Sequence, residues 1–111
     1  MSLDQSYDKP EPAREAVDAL PGPTVLEFGA GWCGYCQGAQ PLIKAAFADY
    51  PEVRHIKVGD GKGKPLGRSF GVKLWPTLVF LKDGKEAARA VRPADEDEVR
   101  RGLEAIAGTA V

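Results

Sequence analysis

The chain has 111 residues, 43% of them hydrophobic, which suffices for one compact domain with its own core and leaves no room for a second. Its 15 Lys and Arg nearly cancel 16 Asp and Glu, so no strong field draws nucleic acid or an anionic membrane. No apolar run approaches the roughly 18 residues of a membrane span, and two cysteines are too few for a disulfide-stapled miniprotein.

The expectation is a single domain over residues 1–111, with 1–11 a loosely ordered lead-in. The polar start from Met1 to Glu11 does not read as a signal peptide, which points to the cytoplasm. An export signal removed ahead of Met1-Ser2-Leu3 would place the chain in the periplasm instead. After Pro12, Ala13, Ala16, Val17 and Leu20 fall on one helical stripe that Pro21-Gly22-Pro23 stops. Thr24 to Phe28 reads as a buried strand interrupted by Glu27, an acid that is either a solvated strand-edge group or a buried functional one. From about Gly34 to Tyr50 apolar residues recur at three- and four-residue steps, marking an amphipathic helix kinked by Pro41.

Val53 to Val58 reads as a strand with Ile56 and Val58 on one face and His55 exposed, without a chemical role. Gly59 to Lys64 reads as a loop and Pro65 to Phe70 as a short helix. Thr77 to Leu81 has the continuous apolar character of a central strand, Asp83-Gly84 supplies a hairpin turn, and Glu86 to Val91 returns antiparallel. Asp95 to Glu98 open a last helix whose stripe is Val99, Leu103 and Ile106 and whose stop is Gly108. This order describes an α/β sandwich.

The chemistry lies in Trp32-Cys33-Gly34-Tyr35-Cys36, between the first strand and the long helix. Closing so short a loop stabilises the fold by only about 2 kcal/mol, so a reactive pair is a better reading than a structural bridge. Cys33 at a helix start meets unpaired backbone N–H groups and the positive end of the helix dipole, both of which favour thiolate. Cys36, one turn later, faces the first sulfur and can displace it from a mixed disulfide. A backbone N–H at Tyr35, which proline would lack, is expected to donate to the Cys33 thiolate and raise the reduction potential by tens of millivolts.

Over about Thr24 to Ala107 the chain resembles the thioredoxin superfamily. The resemblance rests on Val25-Leu26-Glu27-Phe28, the Trp-Cys-Gly-x-Cys loop, Pro41 five residues after the second cysteine, Trp75-Pro76-Thr77 before an apolar strand, and Lys82-Asp83-Gly84-Lys85. It implies the thioredoxin fold, a three-layer α/β/α sandwich on a central mixed sheet of four to five strands. It also implies a thiol–disulfide oxidoreductase in which Cys33 attacks, Cys36 resolves, and Glu27 assists proton movement to Cys36, with Lys57 as a neighbour. Glu27 stands where the family normally has Asp, and burial is expected to raise its pKa.

Pro76 would carry a cis peptide bond beside the cysteines, and Trp75 would pair its backbone with substrate. Trp32, Gly34, Tyr35, Trp75, Pro76 and Arg92 would form the substrate-binding face. The implied partners are disulfide-containing protein substrates and a recycling reductase or oxidase, with the chain acting as a monomer and needing no dissociable cofactor. Three positions depart from the family: Tyr35 stands where Pro is usual, giving a loop similar to the Cys-Gly-Tyr-Cys of bacterial periplasmic disulfide isomerases. Arg92 replaces a small glycine, and Trp75 is bulky. They leave reductase, oxidase and isomerase open.

Competing readings of the same residues are weaker. A four-ligand zinc site lacks ligands, since His55 is the only histidine. Covalent haem attachment requires histidine where Gln37 stands, and an iron–sulfur cluster would need a second chain's cysteines. Gly29 to Gly34 satisfies G-x-G-x-x-G, but the chain is short for two nucleotide-binding halves and Trp32 fills the loop. Gly63-Lys64 is no phosphate loop, because Val58 stands at its first glycine and Pro65 follows the lysine. Arg92 reads either as an ordinary exposed arginine or as a selector of acidic substrates, and Trp75 as core packing or docking surface. A binding module that keeps the fold and only holds a client is the rival of another class.

Overall fold

The computed structural model describes residues 7–108. Chain order gives α1 (Arg14–Asp18), β1 (Pro23–Gly29), α2 (Gly34–Phe47), β2 (Arg54–Gly59), α3 (Pro65–Ser69), β3 (Thr77–Lys82), β4 (Lys85–Val91) and α4 (Glu96–Ala107). The strands form one mixed sheet in the order β2-β1-β3-β4. β1 and β2 run parallel, which requires a crossover, and α2 provides it; β3 runs antiparallel to β1 and β4 antiparallel to β3.

Alternation along the strands divides the core between the two faces. Val25, Leu78 and Phe80 pack with Ile43 and Phe47 of α2 and with Val99, Leu103 and Ile106 of α4. Leu26, Phe28, Val79 and Leu81 pack on the other face with Val17 of α1 and Leu66 of α3. Helices on both faces of the sheet make the three layers expected from the sequence. Because β1 and β3 are inner strands, nearly all their residues are buried.

Local chemistry explains the boundaries. Asp83 (φ 51°) and Gly84 (φ 81°) make the two-residue turn between β3 and β4, and a side chain on Gly84 would strike the Asp18 carbonyl oxygen 1.9 Å away. α4 is capped by Asp95, whose side chain accepts from the Glu98 amide at 3.0 Å, while Glu98 reaches back to the Ala94 amide at 2.8 Å. The first helix is shorter than its stripe suggested. Of Ala13, Ala16, Val17 and Leu20 only Val17 is buried, since five residues give little more than one turn to face the sheet. Among the described residues no helix is long and apolar enough to cross a membrane.

Candidate active site

β1 ends at Gly29, a three-residue turn follows, and α2 opens with Cys33 as its N-cap. The Cys33 sulfur does what a capping oxygen does elsewhere, accepting from the backbone N–H of Cys36 at 3.2 Å. The donor is therefore the amide of Cys36, one position beyond Tyr35, where the sequence placed it. A cap reaches the second or third helical residue, and here the third wins. Cys33 keeps 6% of its surface exposed and Cys36 only 1%. Burial, followed by the hydrogen bond to Cys33, pushes the Cys36 thiol up to about 12.

The exposed side of the pair is aromatic. Trp32 (78% exposed) meets Trp75 edge-on with ring centroids 5.5 Å apart, and Trp75 is held by its indole N–H donating to Asp60 Oδ2 at 2.8 Å. The Trp75–Pro76 peptide is cis, as the resemblance implied. Arg92 adopts φ 47°, a conformation glycine takes freely, which accounts for glycine being usual at that place. Its Nε donates to the Trp75 carbonyl at 2.8 Å and its guanidinium lies 3.8 Å above the Tyr35 ring. Gly34, Tyr35, Pro76 and Arg92 line a groove of about 550 Å³. The six residues expected on the binding face thus lie together beside Cys33, with Trp75 half-buried against the cluster of Tyr7, Ala30, Cys33 and Cys36.

The buried side holds the largest departures from the sequence reading. Glu27 projects from β1 toward α2 and is fully buried, which excludes the solvated strand-edge alternative. Its Oε1 faces His55 Nε2 at 2.7 Å, while Oε2 accepts from Gln40 Nε2 at 2.9 Å and from the Tyr7 hydroxyl. Burial alone would raise its pKa, but the hydrogen bond and charge of His55, then the bonds from Tyr7 and Gln40, hold it below the ordinary carboxylate value. The expected upward shift is thereby reversed.

His55 is likewise corrected: it is 3% exposed, stacked on Phe47 with centroids 4.3 Å apart, because β1 and β2 align Val25 with His55 and Glu27 with Lys57 on one face of the sheet. Lys57 reaches Glu27 only through Gln40, donating to Gln40 Oε1 at 2.5 Å. Tyr7, from the segment expected to be loosely ordered, is instead 9% exposed and packed with Ala30, Cys33 and Cys36; residues 1–6 lie outside the described part.

Reasoning from the sequence missed Tyr7, Gln40, His55 and Asp60. Gln40 carried a signal, since it lies four residues after Cys36 and so on the same helix face. Tyr7 carried none, being twenty residues from Glu27.

A family model described as thioredoxin matches residues 8–105. The chain belongs to the thioredoxin family. It is 38% identical over 78 residues to a thioredoxin of Chlamydia muridarum, an alignment covering 70% of this chain and 76% of that one. Among solved structures, the reduced form of thioredoxin 2 from Pseudomonas aeruginosa superimposes with a TM-score of 0.82 at 55% identity, covering 92% of this chain and 94% of that one. A thioredoxin from Nicotiana alata gives a TM-score of 0.68 at 33% identity, with 81% and 77% covered. As a thioredoxin with two adjacent cysteines, the chain is a thiol–disulfide oxidoreductase. Thioredoxins act on disulfide substrates and are recycled by a reductase.

Proposed function

We propose that this thioredoxin reduces protein disulfides with Cys33 as the attacking sulfur, Cys36 as the resolving sulfur and Glu27 as the proton acceptor. One observation carries the assignment: Cys33 caps α2 and accepts the Cys36 N–H, while Cys36 is buried above Glu27 and its partners. The Cys33 thiolate attacks a substrate disulfide, forms a mixed disulfide and releases one substrate thiolate. Cys36 then loses its proton and attacks Cys33 Sγ. The protein disulfide forms, the second substrate thiolate departs, and two electrons have passed to the substrate.

Trp32, Gly34, Tyr35, Trp75, Pro76 and Arg92 form the surface on which the substrate docks. The large apolar side chains exposed among the described residues are Trp32, Tyr35, Leu74 and Val91, and each is one of these residues or its chain neighbour. That concentration suits transient docking of a substrate by a monomer. A cytoplasmic setting belongs to the same reading, because the chain's one cysteine pair is reactive and no structural bridge calls for an oxidising compartment.

Cys36→Ser is expected to accumulate mixed disulfides through Cys33, whereas Cys33→Ser traps almost none, as judged on non-reducing gels with a disulfide-bonded protein such as insulin. Equal trapping by both variants overturns the assignment. A wild-type protein that binds clients without reducing them establishes the binding-module alternative.

A further inference from the structure

The resting Cys36 thiol and the ionised Glu27 carboxylate have a third group between them. Tyr7 enters from the N-terminal segment with its ring packed against Cys36 and with Lys57 Nζ 4.9 Å from the ring centre. Its hydroxyl donates to Glu27 Oε2, and Tyr7 and Cys36 meet over Gly29 in one buried cluster. Gly29 makes room for this arrangement: a Cβ there would stand 2.6 Å from Cys36 Sγ and 3.0 Å from Tyr7 Oη. Any other residue would push sulfur and hydroxyl away from β1 together.

We propose that Tyr7 is a catalytic residue whose hydroxyl relays the Cys36 proton to Glu27 during the resolving step. The proposal rests on Glu27 being the proton acceptor and identifies the path the proton takes. The Cys36 S–H proton passes to Tyr7 Oη as the Tyr7 O–H proton passes to Glu27 Oε2. The electron pair freed on Cys36 forms the bond to Cys33 Sγ, and the bond from Cys33 to the substrate breaks with its pair leaving on the substrate sulfur. When the Cys33–Cys36 disulfide is later reduced, the path runs in reverse and a proton passes through Tyr7 to the regenerated Cys36 thiolate.

Burial, then the charge of Glu27, raises the Tyr7 pKa, so a phenolate is disfavoured and the two protons must move together. Glu27 is ionised and able to accept, but it is a weak base against a thiol at about 12, so the proton leaves Cys36 only as the sulfur's electron pair enters the bond to Cys33. Gln40, which also bonds Glu27 Oε2 at 2.9 Å, donates its second N–H to the Cys36 carbonyl at 2.9 Å and therefore steadies the acceptor without touching the sulfur.

The test is the reaction of the reduced protein with 5,5′-dithiobis(2-nitrobenzoate). Release of the first thionitrobenzoate reports attack by Cys33, and release of the second reports resolution by Cys36. Tyr7→Phe keeps the ring and removes the hydroxyl. It is expected to slow the second release about 10- to 100-fold, within or just below the usual contribution of a positioned acid or base, while sparing the first. Its second release should climb with pH without the plateau that Glu27 ionisation gives the wild type. Combined with Glu27→Gln it should be no slower than Glu27→Gln alone, since both cut one path.

A normal second release in Tyr7→Phe with a slow one in Glu27→Gln overturns the relay and leaves Glu27 as acceptor. Normal release in both variants overturns the Glu27 reading as well. Equal slowing of both releases, or additive losses, assigns Tyr7 a packing role only. A proton inventory of the wild-type second release needs no variant: two protons in flight give a curved dependence on deuterium fraction, and a straight line overturns the proposal.

Discussion

Beneath Cys36 the polar side chains bond to one another and are mostly buried, with His55 Nδ1 left without a partner. Glu27 takes three donors, Gln40 bridges Glu27 to Lys57, and Tyr7 closes the end next to the sulfur. Around Cys33 the side chains are exposed or half-buried, and their contacts are an aromatic edge, a cation over a ring, one bond to a backbone carbonyl and the Trp75 indole bond to Asp60. The contrast matches the roles proposed above, in which Cys36 would need a fixed proton acceptor in a place where a misplaced donor is costly, whereas Cys33 would have to meet surfaces of varied shape. Changes beneath Cys36 should therefore cost stability and proton transfer together, and changes around Cys33 should cost little of either.

The largest expected effect is that of Glu27→Ala. It strands the Tyr7 hydroxyl, the Gln40 amide and His55 Nε2 without their acceptor, and a buried donor left unpaired costs about 1–3 kcal/mol. Allowing for relaxation, the loss should be about 3 kcal/mol, read as a lower urea midpoint at unchanged slope. The same network sets a pH dependence. Because the Glu27 pKa is lowered on folding, its contribution is full above the unfolded value, near 4.5, and is lost as pH falls through the folded value. Wild type and Glu27→Ala should therefore converge in stability in acid. A variant as stable as wild type at neutral pH would mean that desolvation of the carboxylate offsets all three bonds.

His55→Leu should have an intermediate effect and change a sign. It removes the leading cause of the lowered Glu27 pKa while leaving burial, the largest opposing cause, in place. The carboxyl should then titrate above its ordinary value, as carbon-13 NMR of the labelled glutamate side chain would show. An acid raised on folding loses stability as pH rises, so His55→Leu should become more stable on mild acidification, over a range above about 4.5 in which the Glu27 contribution to wild type is unchanged. The loss at neutral pH should be about 2 kcal/mol, since His55 Nδ1 has no partner and only Nε2 contributes a bond. A Glu27 pKa that stays lowered would show Tyr7 and Gln40 to be sufficient.

The same division separates what could be read in the sequence from what could not. The succession of elements, the two-residue hairpin and both cysteines follow from periodicity, turn chemistry and a five-residue loop, all of which are local. The grouping of residues beside Cys33 was legible because Trp32 and Tyr35 each precede a cysteine and Trp75-Pro76-Thr77 is a compact motif of the resemblance. The buried network depends on long-range register. His55 faces Glu27 only because β1 and β2 pair Val25 with His55, and a shift of one residue would turn it outward. Reading Glu27 as raised weighed burial alone. Its sign came from three donors, two of them on segments with nothing local to mark them.

The smallest expected effect is that of Tyr35→Pro, and it tests the rim most finely. If the Tyr35 N–H held the Cys33 thiolate, proline would remove a bond of about 1.5 kcal/mol from the reduced state alone and lower the potential by about 30 mV. In the structure the amide that reaches Cys33 Sγ is that of Cys36, and proline is well tolerated in the first turn of a helix. What the substitution removes is a ring 63% exposed, with the Arg92 guanidinium 3.8 Å above it. An exposed contact of this kind contributes about 0.5–1 kcal/mol, and it cancels from the potential to the extent that it persists in both redox states. Stability should fall by about 0.5 kcal/mol, and the potential measured against glutathione should move by less than about 10 mV, the equivalent of about 0.5 kcal/mol for two electrons. A drop near 30 mV with a higher Cys33 pKa would return the Tyr35 amide to the thiolate and make the rim, not only the buried side, a determinant of the redox couple.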